Sequence, residues 1–361
     1  MNRLQAAAHR AARWCAVGAF FTFGLAASTS AAEAPVAVKA AGATFPAKVY
    51  ARWAAQYAQE HGVKVQYQPT GSGDGIKQAT ARSVDFGGTD SPLSGDELAK
   101  RHLVQIPLLV GGVVPVVNLP RVDGRPLRLT GDLLADIMAG RVERWDDARI
   151  AALNPASSLP PKRIWRVVRA DKSGTTDGFT RYLAMVSEAF KAEVGAGQLP
   201  KWPGEVQPEE GNDGVVAGVK ARVGAIGYIS FDRVESSGLQ PVQLKNRAGQ
   251  WVAPSEAGFR AAILQSPLHR SGDDGASVLD MPGPDSWPIT LTSFVLVDAT
   301  PSVAGKVEPA LRFLYWCFQR GDALTRGTGF APLPTAVQAR LAARFAGVRP
   351  LAGGQPNYQV F

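Results

Sequence analysis

Hydrophobic positions along the chain follow two periods, and their alternation sets the expected architecture. Short β-branched runs are followed by stretches with apolar residues three and four apart, the order of strands flanked by helices. Over 47–61, Tyr50, Trp53, Ala54 and Tyr57 fall on one helical face, with Pro46 at the position of a first helical residue. Val63–Tyr67 alternates as a strand, 76–82 reads as a short helix, and Val84–Gly87 reads as the next strand. Ile106–Asn118, with Gly111 and Gly112 at its middle, predicts a buried strand that passes between domains. A second α/β stretch over 130–285, the apolar run Phe294–Val297 and a helix near 308–319 follow. The pattern predicts an α/β protein with parallel sheets. Neither an internal repeat nor a low-complexity linker interrupts it.

The first 32 residues have a different pattern. Arg3, Arg10 and Arg13 precede the apolar stretch Cys15–Ala27, and the small residues Ser28–Ala32 close it. Basic, apolar, then small is the order of a signal peptide, which predicts export, cleavage after Ala32 and a mature chain starting at Glu33. An uncleaved anchor is the alternative, but the apolar run is shorter than the roughly 18 residues that a span needs. Bulky Arg13 and Trp14 ahead of Cys15 argue against lipid attachment.

Length and composition narrow the rest. A chain of 361 residues, 45% apolar and 19% charged, predicts about two domains with cores of their own. Loss of the three leader arginines leaves 36 basic against 31 acidic residues, so the net charge falls from +8 to +5. A mildly basic surface suits an anionic ligand, and no Lys/Arg run is dense enough for nucleic acid. Cys317, among apolar neighbours, reads as a buried small hydrophobe, and two Cys exclude a disulfide framework or a Cys-ligated zinc site. His9, His61, His102 and His269 are scattered without metal-ligand spacing, so no metal and no cofactor is expected.

Three strand-to-helix junctions share one chemistry: Gly42–Pro46, Gly71–Gly75 and Asp171–Thr176. Each offers small or hydroxyl residues where free N–H groups and the positive end of a helix dipole favour an anion. Thr44, Ser72, Ser173 and Thr175 can add hydroxyl donors. Taken singly, each junction reads first as a plain helix cap, and a shared site requires that they converge in space. Arg169 ends a strand directly before the third junction, where its guanidinium could clamp an anion, pair with Asp171, or do both. Asp90 could form an Asx turn into Pro92 or face the ligand. A carboxylate facing an anion is repulsive unless the anion has a hydrogen to donate; phosphate has one at neutral pH and sulfate has none.

Ala41–Pro46, Gly71–Gly73, Val84–Asp90 and Arg169–Thr175, together with Trp145–Asp147, Gly211–Gly214, Gly224–Tyr228 and Trp287–Thr290, resemble the phosphate-specific periplasmic substrate-binding proteins of phosphate ABC importers. The resemblance spans 38–340 with the motifs in order. It implies a two-lobed, Venus-flytrap fold of α/β lobes with hinge crossings. It implies no catalytic residues and a phosphate gripped by Thr44, Phe45 (main chain), Ser72, Asp90, Arg169, Ser173, Gly174 (main chain) and Thr175. It also implies a periplasmic monomer that serves membrane permease subunits driven by cytoplasmic ATPase subunits. The split of the site residues along the chain places lobe one at 33–112 with 288–361, and lobe two at 113–287.

Gly73, Asp74 and Lys172 depart from the family pattern. Asp74 is expected in the first turn of its helix, directed to solvent, and Lys172 either recruits anions or is simply solvated. The tail from Pro350 has no assigned role. A secreted phosphatase using Ser72 or Ser173 is the enzymatic alternative, but Gly-x-Ser-x-Gly, His-Glu-x-x-His and P-loop motifs are all absent from the sequence. A secreted phosphate-binding scaffold for sensing or adhesion would have the same motifs as a transport protein.

Overall fold

The computed structural model describes residues 36–120, 125–303, 305–345 and 348–349; the expected signal peptide and the tail from Pro350 lie outside them. In chain order the strands are β1 (Val36–Gly42), β2 (Lys64–Pro69), β3 (Phe86–Thr89), β4 (Leu103–Val117), β5 (Arg128–Leu129), β6 (Trp165–Arg169) and β7 (Gln207–Glu209). They continue with β8 (Ala225–Ser230), β9 (Gln240–Pro241), β10 (Gln243–Lys245), β11 (Trp251–Val252), β12 (Thr290–Asp298) and β13 (Phe330–Pro332).

The larger sheet follows the order β2-β1-β3-β12-β4-β8-β6-β7, with β13 and β9 also on β4; β11-β10-β5 form a small second sheet. Its two wings are parallel: β1 runs with β2 and β3, and β6 with β7 and β8. Its centre is antiparallel, β12 against β3 and β4, and β4 against β8. The sequence pattern predicts parallel sheets throughout. The centre differs because β4 and β12 pass between the wings, so no helical crossover returns them in the same direction.

β4 carries the continuity. It pairs with β12 from Leu103 to Gly112 and with β8 from Val113 onward, so its partner changes at Gly112–Val113. Being covered on both faces, it reads as a continuous apolar run rather than an alternating one. The Trp287 indole donates to the Val113 carbonyl at 2.9 Å, and Val113 N–H donates to Ile289 O at 2.9 Å.

Helices Ala47–His61 and Ser72–Thr80 flank the first wing; Gly174–Val186 and Gly211–Ala221 flank the second. The first buries Val49, Tyr50, Trp53 and Tyr57, the expected face apart from half-buried Ala54, and Pro46 precedes it as N-cap rather than opening it. The second opens at Ser72 rather than at 76, which makes Ser72 a helix-end residue. Helix Glu308–Thr325 buries Cys317. Helices Glu256–Gln265 and Pro267–Arg270 pack on β4, β13 and helix Thr335–Phe345, with Asp274 paired to Arg340 at 2.8 Å and to Arg344 at 2.6 Å. Among the described residues no helix is long and apolar enough to cross a membrane, and no cluster of His, Cys, Asp or Glu is placed to hold a metal ion.

Candidate functional site

Parallel pairing brings the C-terminal ends of β2, β1 and β3 to one edge, the place where open α/β sheets hold ligands. Backbone bonds stitch the three ends together: Gly71 N–H to Gly42 O at 2.8 Å and Ala43 N–H to Gly88 O at 2.9 Å. Gly42 adopts φ +139°, and a β-carbon there would overlap the Gly88 backbone, so only glycine lets the strands approach this closely. Thr44, Phe45, Ser72 and Asp90 thus form one wall. Ser72 Oγ accepts from Asp90 N–H at 3.1 Å and lies 3.5 Å from Asp90 Oδ2.

Asp90 is not a turn-former here. Ser94 caps the following helix in a capping box with Glu97, and the Thr89 hydroxyl serves Ser91 N–H. Asp90 Oδ1 is buried without a hydrogen-bond partner among the described residues. Burial pushes this carboxyl up to about 7, with Ser293, Arg169 and Ser72 pulling it down and Asp177 adding to the rise.

A single junction supplies the opposite wall. Arg169, 2% exposed at the end of β6, gives Nε to Asp171 Oδ1 at 2.7 Å and Nη2 to Oδ2 at 2.5 Å, while Nη1 has no partner among the described residues. The acid fixes the guanidinium through Nε and Nη2, so the pairing with Asp171 leaves Nη1 available. Ser173 is the N-cap of helix Gly174–Val186, its hydroxyl accepting from Thr176 N–H at 3.2 Å. The cap reading therefore holds for Ser173, whereas the buried Thr175 hydroxyl nearby has no partner among the described residues. A β-carbon on Gly174 would run into Ser72 Oγ and the Asp90 backbone, so the bare helix end abuts the first wall.

The walls are joined by direct bonds. Gly73 N–H donates to Lys172 O at 2.9 Å, and Asn212 Nδ2 donates to Thr44 Oγ1 at 3.0 Å. Arg233 donates through Nη1 to Phe45 O at 3.1 Å and through Nη2 to Thr44 O at 3.2 Å. Sequence reasoning gave no role to Asn212, although it lies in the Gly211–Gly214 motif, and it missed Arg233, which no motif marks. A cavity of about 440 Å³ opens beside these contacts, lined by Thr44, Lys48, Asp171, Asn212 and Arg233 among others. Asp74 accepts from Thr70 and Gln78, each at 2.5 Å, and so serves its own helix end; Lys172 is exposed.

Two donors, Arg169 Nη1 and Thr175 Oγ1, and one acceptor, Asp90 Oδ1, are thus buried and without a partner among the described residues where helices Ser72–Thr80 and Gly174–Val186 present their N-termini. Buried polar atoms are normally bonded, so three in one place mark where a ligand belongs. A small anion that also carries a hydrogen would satisfy all three. Ser72 and Ser173 hydroxyls serve main-chain N–H groups, and among the described residues no histidine hydrogen-bonds to either.

Comparison with known proteins bears on the ligand. Residues 29–320 match the PBP superfamily domain. The chain is 40% identical over 300 residues to a Haemophilus influenzae protein named Phosphate-binding protein PstS, covering 83% of this chain and 90% of that one. Proteins of the same name from Xylella fastidiosa (40% over 299 residues, 83% and 82% covered) and Methanocaldococcus jannaschii (34% over 310 residues, 80% and 79% covered) are also similar. Among solved structures, a DING protein superposes with a TM-score of 0.68 at 21% identity, covering 85% of this chain and 94% of that chain. A high affinity periplasmic phosphate-binding protein, PfluDING, with phosphate bound superposes at 0.64 and 23% identity, covering 85% and 93%. These structures share the expected two-lobed periplasmic-binding-protein fold with this chain.

Proposed function

The chain belongs to the PBP superfamily and, within it, to the phosphate-binding PstS family, and from that membership we propose that it binds inorganic phosphate between its two walls for an ABC-type importer. It is a substrate-binding protein rather than an enzyme. The observation that carries this reading is the set of buried, unpaired atoms Arg169 Nη1, Thr175 Oγ1 and Asp90 Oδ1.

Phosphate fits that set. Its oxygens accept from Arg169, from the hydroxyls of Thr44, Ser72, Ser173 and Thr175, and from the main-chain N–H groups of Phe45 and Gly174. Its hydrogen goes to Asp90. Sulfate, fully ionised, would oppose that carboxylate with neither a hydrogen bond nor water between them.

The division of labour along the chain follows the site. Lobe one comprises 33–112 and 288–361, lobe two 113–287, with the pivot at Gly112–Val113, where β4 changes partner. Within lobe two's span, 256–274 rides with lobe one through Asp274, Arg340 and Arg344. Ligand bridging the walls closes them, and small-angle scattering should show compaction on adding phosphate. The leader is removed near Ala32, the mature chain acts in the periplasm as a monomer, and its partners are membrane permease subunits coupled to cytoplasmic ATPase subunits.

A thermal scan of protein stripped of carried-over phosphate tests the reading. Phosphate at about 100 times its dissociation constant should add roughly 2.7 kcal/mol to stability. No phosphate-dependent shift would remove the basis of the proposal.

A further inference from the structure

The Thr44 hydroxyl raises a question that the anion alone does not answer. A threonine hydroxyl both donates and accepts, and an anion's oxygens want only donors. Something must keep its hydrogen aimed at the ligand.

Asn212 is placed to do this. Its side chain is 1% exposed, so both ends of the amide must be bonded. Oδ1 accepts from the main-chain N–H of Ser230 at 2.9 Å. A main-chain N–H can only donate, so that contact fixes which end of the amide is oxygen and leaves Nδ2 toward Thr44. Nδ2 then donates to Thr44 Oγ1 at 3.0 Å. With a lone pair facing that N–H, the hydroxyl cannot point its own hydrogen at Asn212 and keeps it for another partner. Arg233 meanwhile holds the carbonyls of Thr44 and Phe45, so the backbone carrying that hydroxyl cannot turn away.

We propose that Asn212 is a positioning residue that makes the Thr44 hydroxyl a dedicated donor to the bound anion, and that it does so only when the walls meet. Thr44 belongs to the first wall and Asn212 to the second, so the relay from Ser230 N–H through Asn212 to Thr44 is complete only in the closed arrangement. The inference rests on the reading of the cleft as a phosphate site. It adds a reason why closure strengthens binding beyond bringing Arg169 and Thr175 to the ligand.

A double-mutant cycle on the full mature chain tests it, with phosphate titrated calorimetrically into wild type, Thr44→Val, Asn212→Ala and the double variant, and with ligand-free melting of each measured in parallel. Each single substitution should weaken phosphate by about tenfold, the order of one net hydrogen bond, and the double variant should be no weaker than Thr44→Val alone. Additive losses would overturn the inference, because a merely structural asparagine costs the same in both backgrounds. Unchanged affinity in Asn212→Ala would also overturn it. If Asn212→Ala does not fold, Asn212→Ser in both backgrounds provides the same cycle. A wild type that binds no phosphate would refute the phosphate reading itself and this inference with it; wild-type binding with additive losses refutes the inference alone.

Discussion

The two walls of the cleft reach the same chemistry by opposite routes. The second is local: Arg169, Asp171, Ser173, Gly174 and Thr175 lie within one strand-to-helix turn, and a buried ion pair at 2.5 and 2.7 Å sets its guanidinium before any ligand arrives. The first is assembled: Thr44, Ser72 and Asp90 come from three junctions and meet only because β2, β1 and β3 run parallel and end together. The local wall supplies positive charge, whereas the assembled wall supplies a carboxylate whose pKa burial raises to about 7, and each wall contributes two hydroxyl residues. Attraction and discrimination are thereby separated. Arg169 and Arg233 differ in a related way: both are buried, but Arg169 Nη1 has no partner among the described residues, whereas Arg233 spends Nη1 and Nη2 on Phe45, Thr44, Ser230 and Asp232.

Removing the charge of the local wall should have the largest effect. Arg169→Ala should weaken phosphate by roughly 2–5 kcal/mol, as loss of one partner of a buried charged contact does; titration calorimetry measures it. An effect below tenfold would mean that the walls do not divide the work in this way. Next in size is the discriminating carboxylate. Asp90→Asn provides an amide that donates as well as accepts, so sulfate binding should rise by roughly 1–3 kcal/mol while phosphate changes comparatively little. If selectivity is unchanged in the variant, the assembled wall does not discriminate.

The raised pKa gives a signed effect that is read as a slope with pH. Between its ordinary 3.8 and about 7, the folded, ligand-free protein holds the Asp90 proton more tightly than the unfolded chain. This group's contribution therefore increases stability as pH falls through that window and decreases it as pH rises, by up to about 1.4 kcal/mol per pH unit. Melting curves of wild type minus Asp90→Asn should show that slope, and a flat difference would mean that the carboxyl is not buried as described. The smallest effect belongs to Asp74, which faces its own helix end: Asp74→Asn should change phosphate affinity by less than about 0.5 kcal/mol.

The same contrast explains what the sequence could reveal. The local wall is legible because strand, cap and hydroxyls follow one another within Arg169–Thr175, and the pairing of Arg169 with Asp171 follows from their spacing. The assembled wall was visible only as separate junctions, since which strand ends meet depends on pairings between distant segments. The roles proposed for Phe45 and Gly174 are main-chain ones, which side-chain chemistry cannot reveal, and both entered through the family resemblance. Asn212 and Arg233 were given no role because they act on the hydroxyl and carbonyls of a segment far away in the chain. The antiparallel centre was missed for a related reason: the continuous apolar run of β4 signals burial on both faces but not the direction of its neighbours.

The central claim is that the cleft is complementary to a tetrahedral anion that still carries a hydrogen. Titrating phosphate and then sulfate into stripped wild-type protein, at a pH far enough above 7 that the Asp90 carboxyl is ionised, tests it most directly. One phosphate should bind per chain, with no measurable sulfate binding at concentrations that saturate with phosphate. Equal affinity for the two anions, or no phosphate binding, would contradict it.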